Sequence, residues 1–226
     1  MRMILEWLPL LLKGTLVSFE ITVISITIGF FIGILLALGR VYGNRLIYVL
    51  STAYIEIIRG TPLLTQLFIL YYGLPGIGIL LSPFTAAIIG MGLNSGAYQA
   101  EYFRGSIQAI RSGQMIAARS LGMSKWQAIY HIILPQALRL VIPSWSNELI
   151  YLLKYSSLAY MIQAPELMFQ GHYIASKTFR TFEVFSIVAL IYLVLVIILS
   201  KILNNLENRF RIPGLGTRKR KQFSVI

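Results

Sequence analysis

The sequence contains no cysteine and no aspartate, and only 12% of its 226 residues are charged. The absence of cysteine excludes disulfides and thiolate metal sites. His131 and His172 lie in separate segments, so we predict no metal site, and no nucleophile–base pair marks a catalytic residue. Soluble domains carry about 25% charged residues. The scarcity of charge therefore excludes an ordinary soluble domain, and the lack of a metal cluster or nucleophile–base pair disfavours an enzyme.

Apolar residues are correspondingly abundant in the sequence. They make up 57% of the chain, and the mean hydropathy is +0.73. An apolar helix of about 20 residues crosses the roughly 30 Å of membrane hydrocarbon. Five stretches have this character: residues 13–39, 46–72, 84–103, 138–153 and 184–203. The sequence therefore predicts an all-α, polytopic integral membrane protein with about five transmembrane helices, forming one domain over residues 1–226.

The first 13 residues are too short in their apolar part to cross a membrane. They also lack the small-residue cleavage site of a secretory signal peptide. We therefore expect an interfacial segment that is anchored by Trp7 and precedes the first span.

Basic residues outnumber acidic ones, 20 to 8, and the net charge is +12. Cytoplasmic loops of membrane proteins carry an excess of lysine and arginine. Placing the C-terminus in the cytoplasm puts most basic residues on that side and the N-terminus outside. The basic tail, residues 209–221, contains a single aromatic residue, Phe210, and follows a span directly. It therefore favours contact with the lipid membrane, and we expect no nucleic acid partner.

Two of the spans carry glycines four residues apart, Gly29 with Gly33 and Gly92 with Gly96. This spacing lets helix backbones approach closely in a membrane. It fits either packing between spans of one chain or a seam between two copies, and both interpretations stay open at this point.

The segment between the third and fourth spans, residues 105–137, has the pattern of two short helices and is called the knuckle below. Residues 113–121 have helical composition, and Gly122 follows them where a helix end favours a glycine with positive φ. Ser124 and Gln127 have the S-x-x-Q spacing of a capping box that opens a second helix. The knuckle suits docking of a cytosolic partner, and an interfacial helix pair without a partner is the alternative.

Residues 113–122 of the knuckle are GQMIAARSLG, and residues 133–135 are ILP. This pattern resembles the EAA loop of ATP-binding-cassette (ABC) importer permeases, with Ile116 in place of the motif's glutamate. Further motifs resemble the polar amino acid permease subfamily: residues 56–67 (EIIRGTPLLTQL), 72–75 (YGLP), 97–105 (AYQAEYFRG), 134–139 (LPQALR) and 147–158 (NELIYLLKYSSL). The resemblance covers nearly the whole chain.

The resemblance implies the permease subunit of an ATP-driven amino acid importer in the bacterial cytoplasmic (inner) membrane. In this family a second permease subunit completes the pathway, and here we expect a homodimer. A dimer of cytosolic ABC ATPases grips the coupling helices, and an extracytoplasmic substrate-binding protein delivers the substrate. The expected ATPase-coupling residues are Gly113, Ala117, Ala118, Leu121, Gly122, Met123 and Ser124.

The chain has no G-x-x-x-x-G-K-[ST] phosphate-binding loop. We therefore expect no cofactor in this chain, with ATP and Mg²⁺ bound by the partner ATPase. The expected mechanism is alternating access, in which the knuckle moves with the ATPases. A non-transporting membrane anchor of a complex with a cytosolic partner is the alternative function.

A carboxylate at membrane depth points to function because burying it unpaired is costly. Glu148 lies about 20 Å along a helix beyond Pro135, near mid-membrane. Ser144 and Tyr151 share its face at helical spacing, and Asn147 adjoins that face. In the third span, residues 94, 98 and 101 form a similar polar stripe.

We expect the two stripes to face each other and to bind the substrate. The candidate contacts are Glu148, Asn94, Ser144, Asn147, Tyr151 and Tyr98. A carboxylate in a low-dielectric site favours a cationic group, so arginine, lysine or histidine is the expected substrate. The alternative is that Glu148 ties helices together through a hydroxyl group or through Lys154.

Two pairs of charged residues in or near the spans are expected to form locally. Glu101 and Arg104 are three residues apart, and so are Glu56 and Arg59. The sequence Gly-Thr-Pro at residues 60–62 predicts a kink in the second span.

Overall fold

The computed structural model describes residues 2–210. It is 89% helical, and no strand occurs in that range. The α-helices are α1 (Arg2–Tyr42), α2 (Arg45–Gly60), α3 (Leu63–Phe68), α4 (Pro83–Gln108), α5 (Ser112–Ser120), α6 (Lys125–Ala128), α7 (Leu134–Tyr155), α8 (Leu167–Thr178) and α9 (Thr181–Phe210). Short π or 3₁₀ turns follow α3, α6 and α7. The all-α prediction is confirmed.

Helix α1 is continuous from Arg2 to Tyr42, so the predicted separation of residues 1–13 from the first span is wrong. Trp7 does not act as a separate interfacial anchor, because its side chain is buried against α8 and α9. Leu11 joins the same cluster, whose other members include Ile174 and Val188. Burial of these apolar side chains makes the start of α1 part of the helical bundle.

The two glycine pairs meet inside the chain, at the crossing of α1 and α4. A Cβ atom on Gly29 would lie 3.0 Å from the backbone nitrogen of Gly96, and one on Gly33 would lie 2.8 Å from the Cβ of Gln99. A Cβ on Gly92 would contact the side chain of Ile28 at 3.0 Å. Because these glycines have no side chain, α1 and α4 can approach each other closely. Of the two alternatives, the glycine pairs therefore serve packing within one chain.

The chain bends by 102° between α2 and α3, at the predicted Gly-Thr-Pro kink. Pro62 restricts the residue before it to extended conformations, and Thr61 has φ −117° and ψ 144°. Gln66 stabilises the bend because its Nε2 donates to the Ile58 carbonyl at 2.8 Å and to the Thr61 hydroxyl at 2.8 Å. The side-chain amide thus satisfies a carbonyl group that the broken helix leaves without its usual partner.

Within the described range, two helical stretches are long and apolar enough to cross a membrane, Glu6–Tyr42 and Thr181–Phe210. The bent pair Arg45–Gly60 and Leu63–Ile77 would make a third. Helices α4 and α7 are 26 and 22 residues long, but they carry buried polar residues such as Gln99 and Glu148. The count of five spans stays a prediction, and residues 211–221 of the basic tail lie outside the described residues.

Candidate substrate site and coupling knuckle

The carboxylate of Glu148 is buried between α7 and α4, with only 6% of the residue exposed. The hydroxyl of Ser95 donates to Oε1 at 2.8 Å, and the hydroxyl of Tyr102 donates to Oε2 at 3.2 Å. Hydrogen bonds to both oxygens offset part of the cost of desolvating the carboxylate. In this conformation Glu148 therefore ties two helices together through hydroxyl groups, as the alternative interpretation expected.

The predicted polar stripe of α4 faces α1, α2 and α3 rather than α7. Asn94 donates through Nδ2 to Oε1 of Gln66 at 3.0 Å, and the ring of Tyr98 lies under the guanidinium of Arg59 at 5.2 Å. The expectation that the two stripes face each other is therefore wrong, because the neighbouring residue Ser95, and not Asn94, faces Glu148. Successive residues of a helix are separated by about 100°, so moving one position along α4 changes the helix that a side chain meets.

The α7 side of the predicted site is mostly exposed. Ser144 is half-buried, whereas Asn147 and Tyr151 are exposed. The rings of Tyr151 and Tyr155 stack at 6.3 Å, and the Nζ of Lys154 lies 4.5 Å from the Tyr151 ring centroid. Lys154 contacts this ring and is not the partner of the buried carboxylate.

The ion pairs of the structure only partly follow the sequence spacing. Glu101 accepts from Arg104 at 2.6 Å, as predicted, and it also pairs with Arg40 of α1. The predicted Glu56–Arg59 pair is wrong, because Glu56 pairs with Arg40 at 3.7 Å. A short connection between α1 and α2 brings Arg40 beside the second helix, whereas Arg59 turns toward α4.

The knuckle forms the predicted pair of helices around a glycine. Helix α5 ends before Gly122, which has φ +86°, and α6 begins after it. The Oγ of Ser124 accepts a hydrogen bond from the backbone N–H of Gln127 at 3.2 Å, and Oε1 of Gln127 accepts one from the backbone N–H of Ser124 at 2.8 Å. Both local predictions, the positive φ and the capping box, are confirmed.

The coupling residues named above lie mainly on the exposed side of the knuckle. Leu121 is 85% exposed, and Gly113 and Ala117 are also exposed, whereas Ala118 is buried. The Nζ of Lys125 donates to the Tyr42 carbonyl at 2.8 Å. This bond fastens α6 to the end of α1, while the apolar exposed surface stays open to a partner.

A second buried carboxylate, Glu166, was missed by the sequence analysis. It is fully buried before α8, where its oxygens accept from the backbone amides of Met168 and Phe169, both at 2.8 Å. The hydroxyls of Ser18 and Tyr192 donate to its Oε2 at 3.2 and 3.1 Å. Glu166 therefore caps α8 and joins it to α1 and α9.

One local signal could have identified Glu166. It directly follows Pro165 and precedes an apolar run, which is the position of a helix N-cap, although glutamate is not a favoured residue there. Its contacts with Ser18 and Tyr192 come from distant parts of the chain. Those contacts form only when the helices pack together, so the local sequence does not predict them.

The helical bundle, its buried polar residues and the exposed knuckle agree with a membrane permease subunit. The chain matches the family described as "Binding-protein-dependent transport system inner membrane component" over residues 29–212. It therefore belongs to this family of importer permeases.

Bacterial relatives and solved structures agree with this assignment. The glutamine transport system permease protein GlnP of Escherichia coli (strain K12) is 38% identical over 91% of this chain and 94% of its own length. The probable amino-acid ABC transporter permease protein YckA of Bacillus subtilis (strain 168) is 42% identical over 79% of each chain. The chain is thus similar to permeases named for amino acid transport.

Two solved structures share the fold. The crystal structure of an amino acid ABC transporter with histidines has a TM-score of 0.86 and 38% identity, covering 92% of this chain and 97% of that chain. An inward-facing structure of the MetNI methionine ABC transporter has a TM-score of 0.77 at 22% identity, covering 90% and 97%, and supports the fold alone.

These findings make the chain a permease subunit of an amino acid ABC importer. Permeases of this kind have no ATPase of their own, and a separate subunit hydrolyses ATP. They work with a cytosolic ATPase and a substrate-binding protein.

Proposed function

We propose that this permease imports polar amino acids with a cationic side chain and that Glu148 contacts the cationic group. The observation that carries the proposal is a desolvated carboxylate held between α4 and α7 by two neutral hydroxyls. A guanidinium or ammonium group adds the attraction of opposite charges to its hydrogen bond with a carboxylate, which a neutral hydroxyl does not. A cationic substrate can therefore displace Ser95 or Tyr102 from Glu148.

The remaining contacts of the proposed site come from α4 and α7. Asn94 and Tyr98 offer an amide and an aromatic ring on α4, and Ser144, Asn147 and Tyr151 offer polar groups on α7. Asn147 and Tyr151 are exposed in the single chain. A polar face on a membrane-spanning helix is unfavourable against lipid. We therefore propose that this face lines a pathway that a second copy of the chain completes.

Coupling to ATP hydrolysis is proposed at the knuckle. The partner ATPase dimer would contact the exposed surface around Leu121 and Gly122, with the C-terminus of the permease in the cytoplasm and its N-terminus outside. Because α6 continues through a π turn into α7, a movement of the knuckle reaches the helix that carries Glu148. Alternating access then follows from movement of α7 against α4.

A neutral polar amino acid is the second candidate substrate. Relatives of this chain are named for glutamine transport, and Glu148 already satisfies both oxygens with uncharged donors. A glutamine amide could replace a hydroxyl as donor. Membership of the importer family removes the other alternative, a non-transporting anchor.

The test is the ATPase activity of the purified permease–ATPase complex, stimulated by binding protein that is loaded with arginine or with glutamine. Glu148→Gln removes the charge and keeps the shape. We expect arginine-dependent stimulation to fall about tenfold or more, while glutamine-dependent stimulation is retained.

Glu20→Gln is the matched control, because Glu20 is an exposed acid on α1. This variant should behave as the wild type. Equal stimulation by both amino acids in wild type and Glu148→Gln would contradict the proposed role of the carboxylate.

A further inference from the structure

Arg59 occupies an unusual position for a cation in a membrane protein. It lies in the last turn of α2, directly before the 102° bend, and it is exposed. Among residues 6–210, no carboxylate lies within salt-bridge distance of its guanidinium, and Glu56, three residues before it, pairs with Arg40. Ionisable residues at membrane depth usually have a partner or a function.

The guanidinium of Arg59 contacts Tyr98, one of the residues of the proposed substrate site. On α4, Asn94, Tyr98 and Tyr102 are spaced four residues apart and follow one side of the helix. Arg59 lies over the Tyr98 ring, and Tyr102 donates to Glu148 one turn further on. Four residues correspond to about 6 Å along the helix axis. The α4 residues that contact the cation and the carboxylate, Tyr98 and Tyr102, are thus about one helical turn apart.

The bend holds Arg59 in this position. Gln66 donates to the carbonyl of Ile58 on one side of Arg59 and to the hydroxyl of Thr61 on the other. The same amide accepts from Asn94 on α4. These bonds fix the backbone around Arg59 relative to the face of α4 that carries Tyr98.

We propose that Arg59 binds the α-carboxylate of the transported amino acid. A guanidinium pairs with a carboxylate through two parallel hydrogen bonds, which gives both orientation and affinity. The inference rests on the proposed function, because it takes the Glu148 region as the site of the substrate side chain. An amino acid with a long polar side chain would be held at its carboxylate end by Arg59 and at its other end by Glu148, because the two groups contact successive turns of α4.

The test compares arginine with agmatine, which is arginine without its carboxylate. Equilibrium binding of each labelled ligand is measured on the purified permease–ATPase complex without the binding protein, which has its own selectivity. The wild type is expected to bind arginine about tenfold more tightly than agmatine, or better. In Arg59→Ala the affinity for arginine should fall to that for agmatine, with agmatine binding unchanged.

Arg45→Ala is the matched control, since Arg45 is an exposed arginine at the other end of α2. Its arginine-to-agmatine ratio should equal that of the wild type. Arg59→Gln, a milder change, is measured in parallel. An unchanged ratio in both Arg59 variants would overturn the inference, and so would failure of both variants to assemble with the ATPase, because Arg59 would then be structural.

Glu148→Gln separates this inference from the proposed function. Glu148→Gln should lower the affinities for arginine and agmatine by the same factor, because both ligands carry the guanidinium group that Glu148 is proposed to bind. If Glu148→Gln leaves both affinities unchanged while Arg59→Ala removes the difference between them, the assignment of Glu148 fails and that of Arg59 stands. If the wild-type complex does not distinguish arginine from agmatine, the Arg59 assignment fails.

Discussion

The hydroxyl of Tyr102 on α4 donates to Oε2 of Glu148 at 3.2 Å. It therefore bonds the same carboxylate that we propose as the binding partner of the substrate. A cationic substrate that binds at Oε2 competes with this hydroxyl. A net intramolecular hydrogen bond is worth about 0.5–1.5 kcal/mol. Removing the competing donor by Tyr102→Phe is therefore expected to raise the affinity for arginine about two- to tenfold.

Equilibrium binding of labelled arginine to the permease–ATPase complex measures this change. Tyr48→Phe is the control, because the Tyr48 side chain is exposed on α2. Unaltered arginine affinity in Tyr102→Phe would indicate that the hydroxyl bond persists with substrate bound, and that Glu148 is a structural residue.

Gly122 is expected to be essential for coupling but not for membrane folding. Its φ of +86° is unfavourable for a β-branched residue by about 1–2 kcal/mol, while no atom lies within 4 Å of a Cβ there. Gly122→Val should therefore distort the turn between α5 and α6 without disturbing the bundle. We expect a folded protein in which ATP hydrolysis no longer drives uptake.

The measurement for Gly122→Val is the ratio of amino acid transported to ATP hydrolysed in proteoliposomes. Gly105→Ala serves as control, because a Cβ at this helical glycine also meets open space and its φ is not positive. A normal ratio in Gly122→Val would argue against ATPase docking at this turn.

Gly33 is expected to tolerate no larger side chain. A Cβ there lies 2.8 Å from the Cβ of Gln99 and 3.1 Å from the backbone nitrogen of Ala100. Gly33→Val should force α1 and α4 apart and cost about 1–3 kcal/mol of stability. The thermal unfolding midpoint of the purified protein should fall, whereas Gly113→Ala, at an open position, should leave it unchanged. Equal midpoints would show that the helix crossing is not tightly packed.

Glu166 is expected to be required for stability. Glu166→Ala leaves the amides of Met168 and Phe169 without their side-chain acceptor and removes the partner of Tyr192, so the cost is on the order of 3 kcal/mol. Thermal unfolding checks this loss. Glu183→Ala, an exposed acid in the first turn of α9, should change the midpoint far less. Similar midpoints for the two variants would remove the structural role.

Local signals in the sequence predicted local structure well. The glycine turn at Gly122, the capping box at Ser124 and the bend before Pro62 all depend on a few neighbouring residues. The apolar stretches likewise predicted the helices because backbone polar groups in a membrane must be satisfied within the segment.

Contacts between distant helices could not be predicted in this way. The sequence identified the polar positions of α4. It could not predict that Ser95, rather than Asn94, forms the hydrogen bond with Glu148. Spacing alone paired Glu56 with Arg59, whereas the turn between α1 and α2 brings Arg40 closer. These choices depend on how helices rotate against each other in the bundle.

The most direct test of the account is uptake of labelled arginine into proteoliposomes that contain the permease and its ATPase, with binding protein outside and ATP inside. We predict ATP-dependent accumulation of arginine, which exceeds that of glutamine at equal concentration and is lost in Glu148→Gln. ATP-dependent accumulation of glutamine that arginine does not inhibit, or no ATP-dependent accumulation of any amino acid, would contradict the account.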